Sequence, residues 1–200
     1  MAWNTPRTWT VGELLTAANM NTYVSNNLTY LKSMVAAEIE LFGVGLWPSL
    51  TTGAAGGVRA EMTTNKDYIG GMNFASGSQT YAEGTLAALP DDYGGGTITA
   101  KFMWAANSAS GNSVIWGLAA VAWGDNVALD AAFGTPQETT DANNGAYKLN
   151  QSAATTAITI AGTPAAGQAC QFRAYRKGTG GDNLAVAALL LGIAITYTRT

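Results

Sequence analysis

The side chains that most often carry out reactions are scarce in this chain. Its 200 residues include no histidine and one cysteine, Cys170. Histidine-based triads, Cys/His zinc sites, histidine-ligated metals and an intrachain disulfide framework are therefore excluded. The lysines are Lys32, Lys66, Lys101, Lys148 and Lys177, and none lies in a serine–lysine motif of the S-x-x-K type. Asp91 and Asp92 pair two carboxylates, but neighbours on a strand face opposite ways. The pair also sits in a Pro/Gly turn, so it reads as solvated turn chemistry rather than an acid/base couple. Asp141-Ala142-Asn143-Asn144-Gly145 lacks the bidentate glutamate and the oxygen spacing of a calcium loop, and reads as a turn. Gly94-Gly95-Gly96 precedes no helix with a lysine and is no phosphate cradle. Gly178 to Asn183 reads as a hairpin loop between apolar strands, and Cys170 as a small buried hydrophobe. No catalytic, cofactor-binding or metal-ligating set emerges, so the expectation is a protein that is not an enzyme and needs no cofactor.

Aromatic residues are the other candidates, with six tryptophans and eight tyrosines. Trp104, Trp116 and Trp123 lie within apolar strand-like runs, where core packing is expected. Trp3, Trp9 and Trp47 lie outside those runs and are expected to anchor the chain to a neighbouring protein rather than to a sugar. Charge points the same way. Only 12% of residues are charged, and ten basic against thirteen acidic residues leave a net charge of -3. A phosphate-neutralising nucleic-acid binder needs a clustered basic surface, so no nucleic-acid partner is expected. A surface so poor in charge is expected to be covered by partner chains.

Three segments must position these residues. Thr10-Val11-Gly12-Glu13 fits a capping box, which predicts a helix from about Gly12 to Ala37. Within it Leu14, Ala17, Asn21, Val24, Leu28, Leu31 and Val35 follow a 3-4 spacing, an a/d seam of about three heptads. Asn21 would be the buried amide that fixes register. This reading makes residues 1–42 an N-terminal anchoring segment and helix, and residues 43–57, rich in glycine around Pro48, a linker. Residues 58–200 read as a β-sandwich of short strands. These are Tyr68 to Phe74, Tyr81 to Leu89, Thr97 to Trp104, Ser113 to Gly124, Ala157 to Ala161, Gln168 to Arg176 and Leu184 to Tyr197. Ile98, Ala100, Phe102 and Trp104 should face one way, with Thr97, Thr99 and Lys101 facing the other. The fold class expected is mainly β, an N-terminal α-helix followed by an antiparallel, jelly-roll-like sandwich. The first seven residues lack the order of a secretory signal. The longest apolar run, Leu184 to Ile195, is shorter than the roughly 20 residues of a membrane-spanning helix, so a soluble protein with no membrane partner is expected.

Two stretches resemble virion proteins of tailed bacteriophages. Thr5-Pro6-Arg7-Thr8-Trp9-Thr10-Val11-Gly12-Glu13-Leu14-Leu15-Thr16-Ala17-Ala18-Asn19-Met20-Asn21-Thr22, with Asn26-Asn27-Leu28 and Leu31-Lys32, is similar to an N-terminal segment of phage fibre, minor tail and head-decorating proteins. Val114-Ile115-Trp116-Gly117-Leu118, Ala132-Phe133-Gly134 and Phe172-Arg173-Ala174-Tyr175-Arg176 resemble a C-terminal phage domain. That domain closes on D-x-L-x-x-D-A-x-L-L-G-V-x-I-x-Y, matched here by Asp182-Asn183-Leu184-Ala185 and Leu190-Leu191-Gly192-Ile193-Ala194-Ile195-Thr196-Tyr197. Ala187 departs from the pattern, which has an acidic residue there. The resemblance implies a jelly-roll-like homotrimer on the virion, made in the host cytoplasm, and its motifs are shared by head and tail proteins. Length favours the capsid surface, as a decoration or cement protein, because 200 residues provide one helix and one compact sandwich with no extended repeat shaft. Its partner would be the major capsid protein. The alternative is a tail fibre or receptor-binding protein, with tail proteins or a host-surface glycan as partner, and a carbohydrate-binding module is the third reading. Attachment or trimer contacts are expected at Trp3, Trp9, Leu14, Asn21, Val24, Leu28, Leu31 and Trp47.

Overall fold

A computed structural model describes residues 3–34, 37–54, 56–62 and 64–199. The helix is shorter than its sequence pattern suggests. It begins with α1 (Ala17–Met20), passes through a π turn over Asn21–Ser25 and continues as α2 (Asn26–Met34). Thr10 and Glu13 do bond to each other, the Glu13 carboxylate accepting from the Thr10 N–H at 3.2 Å and the Glu13 N–H donating to the Thr10 carbonyl at 3.1 Å. They close only an isolated turn, because Gly12 takes the left-handed φ of 82° and diverts the chain. The working cap is Thr16, whose hydroxyl accepts from the Asn19 N–H at 3.2 Å. The π turn adds a residue to one turn of helix and so breaks the strict heptad phase. Val35, the last position of the expected seam, lies outside the described residues.

The remainder is an antiparallel β-sandwich preceded by this helix. The strands are β1 (Ala37–Phe42), β2 (Trp47–Pro48), β3 (Gly57–Glu61), β4 (Tyr68–Phe74), β5 (Thr80–Leu86), β6 (Tyr93–Ala106), β7 (Ser113–Trp123), β8 (Gln137–Ala142), β9 (Asn150–Gln151), β10 (Ala169–Arg176) and β11 (Ala188–Arg199). The first sheet runs β3-β4-β11-β6-β9, with β1 also paired to β11; the second runs β2-β5-β10-β7-β8. The long strand β11 pairs with β4 through Ala188 to Leu190 and with β1 through Gly192 to Tyr197. A register shift between Leu190 and Gly192 separates the two pairings.

Alternation on β6 puts Ile98, Ala100, Phe102 and Trp104 into the core, as their period demands. The core centre is aromatic. Trp116 of the second sheet meets Phe74 edge-on at 5.2 Å, stacks on Phe102 at 5.7 Å and touches Trp104 at 6.2 Å. The Trp104 indole N–H is satisfied by the Asp141 carboxylate at 2.8 Å.

Three local expectations are corrected. Ala37, expected at the helix end, instead opens the strand Ala37–Phe42, which belongs to the sandwich and not to an anchoring segment, because Ala37 and Ile39 bury one face of an alternating run against β11. The stretch read as a linker is built into the sandwich: a 3-10 turn at Gly43–Gly45, the buried Leu46 and Ala54, and β2 on the edge of the second sheet. Gly178 to Asn183 is no hairpin, since it connects β10 of the second sheet to β11 of the first.

Candidate functional site

The N-terminal arm folds back on the helix. Asn27, the most buried polar residue of the helix, accepts from the Asn4 N–H at 2.9 Å and donates through Nδ2 to the Asn4 carbonyl at 2.8 Å. This clasp lays Trp3 against Tyr30 at 6.0 Å and Trp9 edge-on to Tyr23 at 6.3 Å, with the Arg7 guanidinium 5.1 Å from the Trp9 ring. Trp3 and Trp9 therefore have partners in their own chain while each stays over a third exposed. Leu28 (61% exposed) and Leu31 lack this cover and, with Val24 at the edge beside Trp9, form one apolar stripe along the helix. Leu14, 79% exposed, lies in the approach to the helix, and Asn21, at the start of the π turn, is exposed on the single chain. Trp47 is separate from this set: it stands 78% exposed on β2, opposite Glu83 of β5.

A second apolar surface was not foreseen. On the outer face of the first sheet, Phe42 (65% exposed), Leu149 (63% exposed), Met103 and Leu191 border one hollow of about 270 Å³. Val58, Tyr147, Leu189 and Ala105 border another of about 250 Å³. Met103 and Ala105, two residues apart on β6, join the hollows into one face. Ala187 lies in the second hollow, so the departure from the phage pattern places a methyl group on this apolar face. On β6 the alternation places Thr97, Thr99 and Lys101 on this side, which turns apolar only at Met103 and Ala105 near the end of the strand.

The second sheet is different in kind. On its outer side β10 presents Gln171, Arg173 and Tyr175, β5 presents Tyr81 and Glu83, and β7 presents the small Gly117 and Ala119. The Arg173 Nε donates to Glu83 at 2.7 Å and Gln171 donates to the other oxygen of the same carboxylate at 3.1 Å. The Tyr175 ring fills the space above Gly117, where a Cβ would overlap it. Its hydroxyl donates to Glu138 at 2.8 Å; burial, then this neighbouring carboxylate, push its pKa well above the usual phenol value. The loop after β7 folds back over these strands, with the Gly134 N–H donating to the Ala120 carbonyl at 3.0 Å. Together they enclose a groove of about 610 Å³.

Behind this sheet Arg176 and Asp182 form a buried ion pair at 2.7 Å, both side chains 0% exposed. Asp182 also accepts the N–H groups of Ile115 at 3.2 Å and Gly178 at 3.1 Å, and Arg176 donates to the Val186 carbonyl at 2.7 Å. The pair fastens the crossing between sheets. Among the described residues, no group of three or more acidic or cysteine side chains is placed to hold a metal ion, and no helix is long and apolar enough to cross a membrane.

No protein-family model matches the chain, and no curated protein matches it. Two solved structures are similar over most of its length. One is the CBM36-1 domain of a multidomain xylanase from the hindgut metagenome of Trinervitermes trinervoides, at 8% identity and a TM-score of 0.43, covering 82% of this chain and 99% of that one. The other is a protein of unknown function from Shewanella oneidensis MR-1, at 10% identity and a TM-score of 0.30, covering 95% of this chain and 97% of that one. At such identities and TM-scores neither likeness carries a functional argument.

Proposed function

We propose that this chain is a non-enzymatic structural protein of a tailed-phage virion, a homotrimer that decorates and cements the capsid surface. The observation that supports this reading most is apolar surface left bare in two places: the Val24–Leu28–Leu31 stripe and the outer face of the first sheet. Water penalises such surface, and association with copies or a lattice relieves the penalty. Three-fold closure would bring the outer faces of the first sheets together and leave no open apolar edge. The resemblance of the arm and of the closing motif to phage virion proteins supplies the setting. A cement protein binds the assembled shell and not free subunits, so its binding free energy adds to shell stability by linkage.

Heads assembled without the protein should leak DNA at lower temperature, and added purified protein should restore them. Band quantification of purified particles should give many copies per virion. A handful of copies, or purified protein that blocks adsorption to host cells, would instead establish the tail-fibre reading.

A further inference from the structure

We propose that the groove on the outer face of the second sheet is a binding site for neutral oligosaccharides. It lies on the opposite side of the sandwich from the bare face of the first sheet, so the inference stands apart from the virion reading and goes beyond it.

Three properties carry it. First, the groove holds a pre-organised donor. Arg173 is tied through Nε to Glu83 at 2.7 Å, and its guanidinium lies 4.0 Å from the Phe133 ring and 5.7 Å from the Tyr81 ring. Held in this way, it keeps its planar fork in place at little entropic cost on binding. No hydrogen bond among the described residues engages its Nη atoms. Second, acceptors and donors share the same lining: Asp130 brings an exposed carboxylate and Gln79 an amide. Sugar hydroxyls donate and accept at once, so a fork of N–H groups beside a carboxylate matches adjacent hydroxyls of one ring. Third, Tyr81, Phe133 and Pro136 supply apolar wall against which the C–H faces of a pyranose pack.

Charge sets the class of ligand. Glu83 and Asp130 more than offset Arg173, so the groove gives an anion no net attraction, and an apolar ligand would strand its polar groups. The volume, about 610 Å³, falls within the roughly 300–1,000 Å³ of small-molecule sites. The small outward residue Ala119 of β7 lies in its lining and leaves it open.

The test uses the full chain on an array of neutral oligosaccharides of glucose, galactose, mannose, rhamnose and N-acetylglucosamine, printed beside sialylated and sulfated ones. Calorimetry then follows with the best-bound neutral sugar. Binding to neutral glycans is expected, with at least a tenfold loss in Asp130→Ala and in Arg173→Gln. Asp130 is exposed on a loop, so its variant should keep the wild-type melting temperature, and its loss of binding reports on the site and not on folding. The proposal is overturned by no neutral glycan bound on the array or by calorimetry at 10 mM maltohexaose, by a preference for acidic glycans that Asp130→Ala strengthens, or by Asp130→Ala binding as wild type.

Discussion

At the scale of single residues, the buried Arg176–Asp182 pair explains why the Phe172–Arg176 stretch ends, and the closing motif begins, on a charged group inside an apolar fold. Asp182 is surrounded by donors, and Arg176 donates to backbone carbonyls as well as to the carboxylate. Removing one partner leaves an uncompensated buried charge. Asp182→Ala should therefore cost about 3–5 kcal/mol in urea unfolding, and the double variant Arg176→Met/Asp182→Leu considerably less. A single variant as stable as wild type would refute the clasp. Cys170 is the other informative residue. Burial pushes its thiol up from 9.0 to about 12. The unfolded chain releases this proton first, so stability is intact below pH 9 and falls as pH rises towards 12, by at most about 1.4 kcal/mol per pH unit. Tyr175 and Tyr197, both shifted upward by burial and an acidic neighbour, act with the same sign. Native protein should leave an aromatic disulfide reagent unreacted at pH 8, and Cys170→Ala should flatten the alkaline stability slope without abolishing it.

At the scale of elements, the two hydroxyl residues that look like helix caps have different fates. Thr16→Ala should lose about 0.5–2 kcal/mol of helix stability, seen as reduced helical dichroism, whereas Thr10→Ala should leave that signal unchanged. Equal effects would place the helix start back at Gly12. Strand β1 makes a second separable case. A chain that starts at Ala37 keeps the six-residue pairing with β11 and should unfold cooperatively with a strand-only spectrum. A chain that starts at Trp47 loses the buried Ala37 and Ile39 and uncovers the edge of β11. It should melt at clearly lower temperature and aggregate, because that edge then offers unpaired backbone groups.

At the scale of the whole molecule, the two bare apolar surfaces should act as one assembly device. Light scattering of purified protein should report about three times the 20.6 kDa chain mass. Leu28→Glu combined with Leu31→Glu should shift the mass towards a monomer while leaving the thermal transition of the sandwich in place, since neither side chain belongs to its core. Phe42→Asp should weaken association through the outer face of the first sheet. A wild-type monomer at micromolar concentration would remove the trimer and weaken the cement reading with it.

Period and punctuation were enough to read most of the sandwich from the sequence. Tyr68 to Phe74 coincides with β4, and the inward face of β6 follows from simple alternation. Local chemistry also marked Thr10 and Glu13 as mutual partners, and the lack of histidine bounded the reactions open to the chain. What period cannot show is which of two compatible partners a segment finds. Ala37–Phe42 alternates small or apolar residues with glutamates, yet local pattern leaves it in the N-terminal segment because the edge of β11 that it covers lies at the far end of the sequence. The polar strand β8 escaped for a related reason: it is paired at the sheet edge with β7 and has no apolar face to announce it. The seam was legible as a stripe, but its exposure on the folded chain was not, and neither was the arm that packs on Tyr23 and Tyr30 of the helix. The groove was the least visible of all. Glu83 and Arg173 stand ninety residues apart in sequence, and only the strand pairing of β5 with β10 brings them together. Local sequence determined which elements form and which faces are apolar; the tertiary structure alone decided which faces stay uncovered, because that depends on contacts between segments distant along the chain.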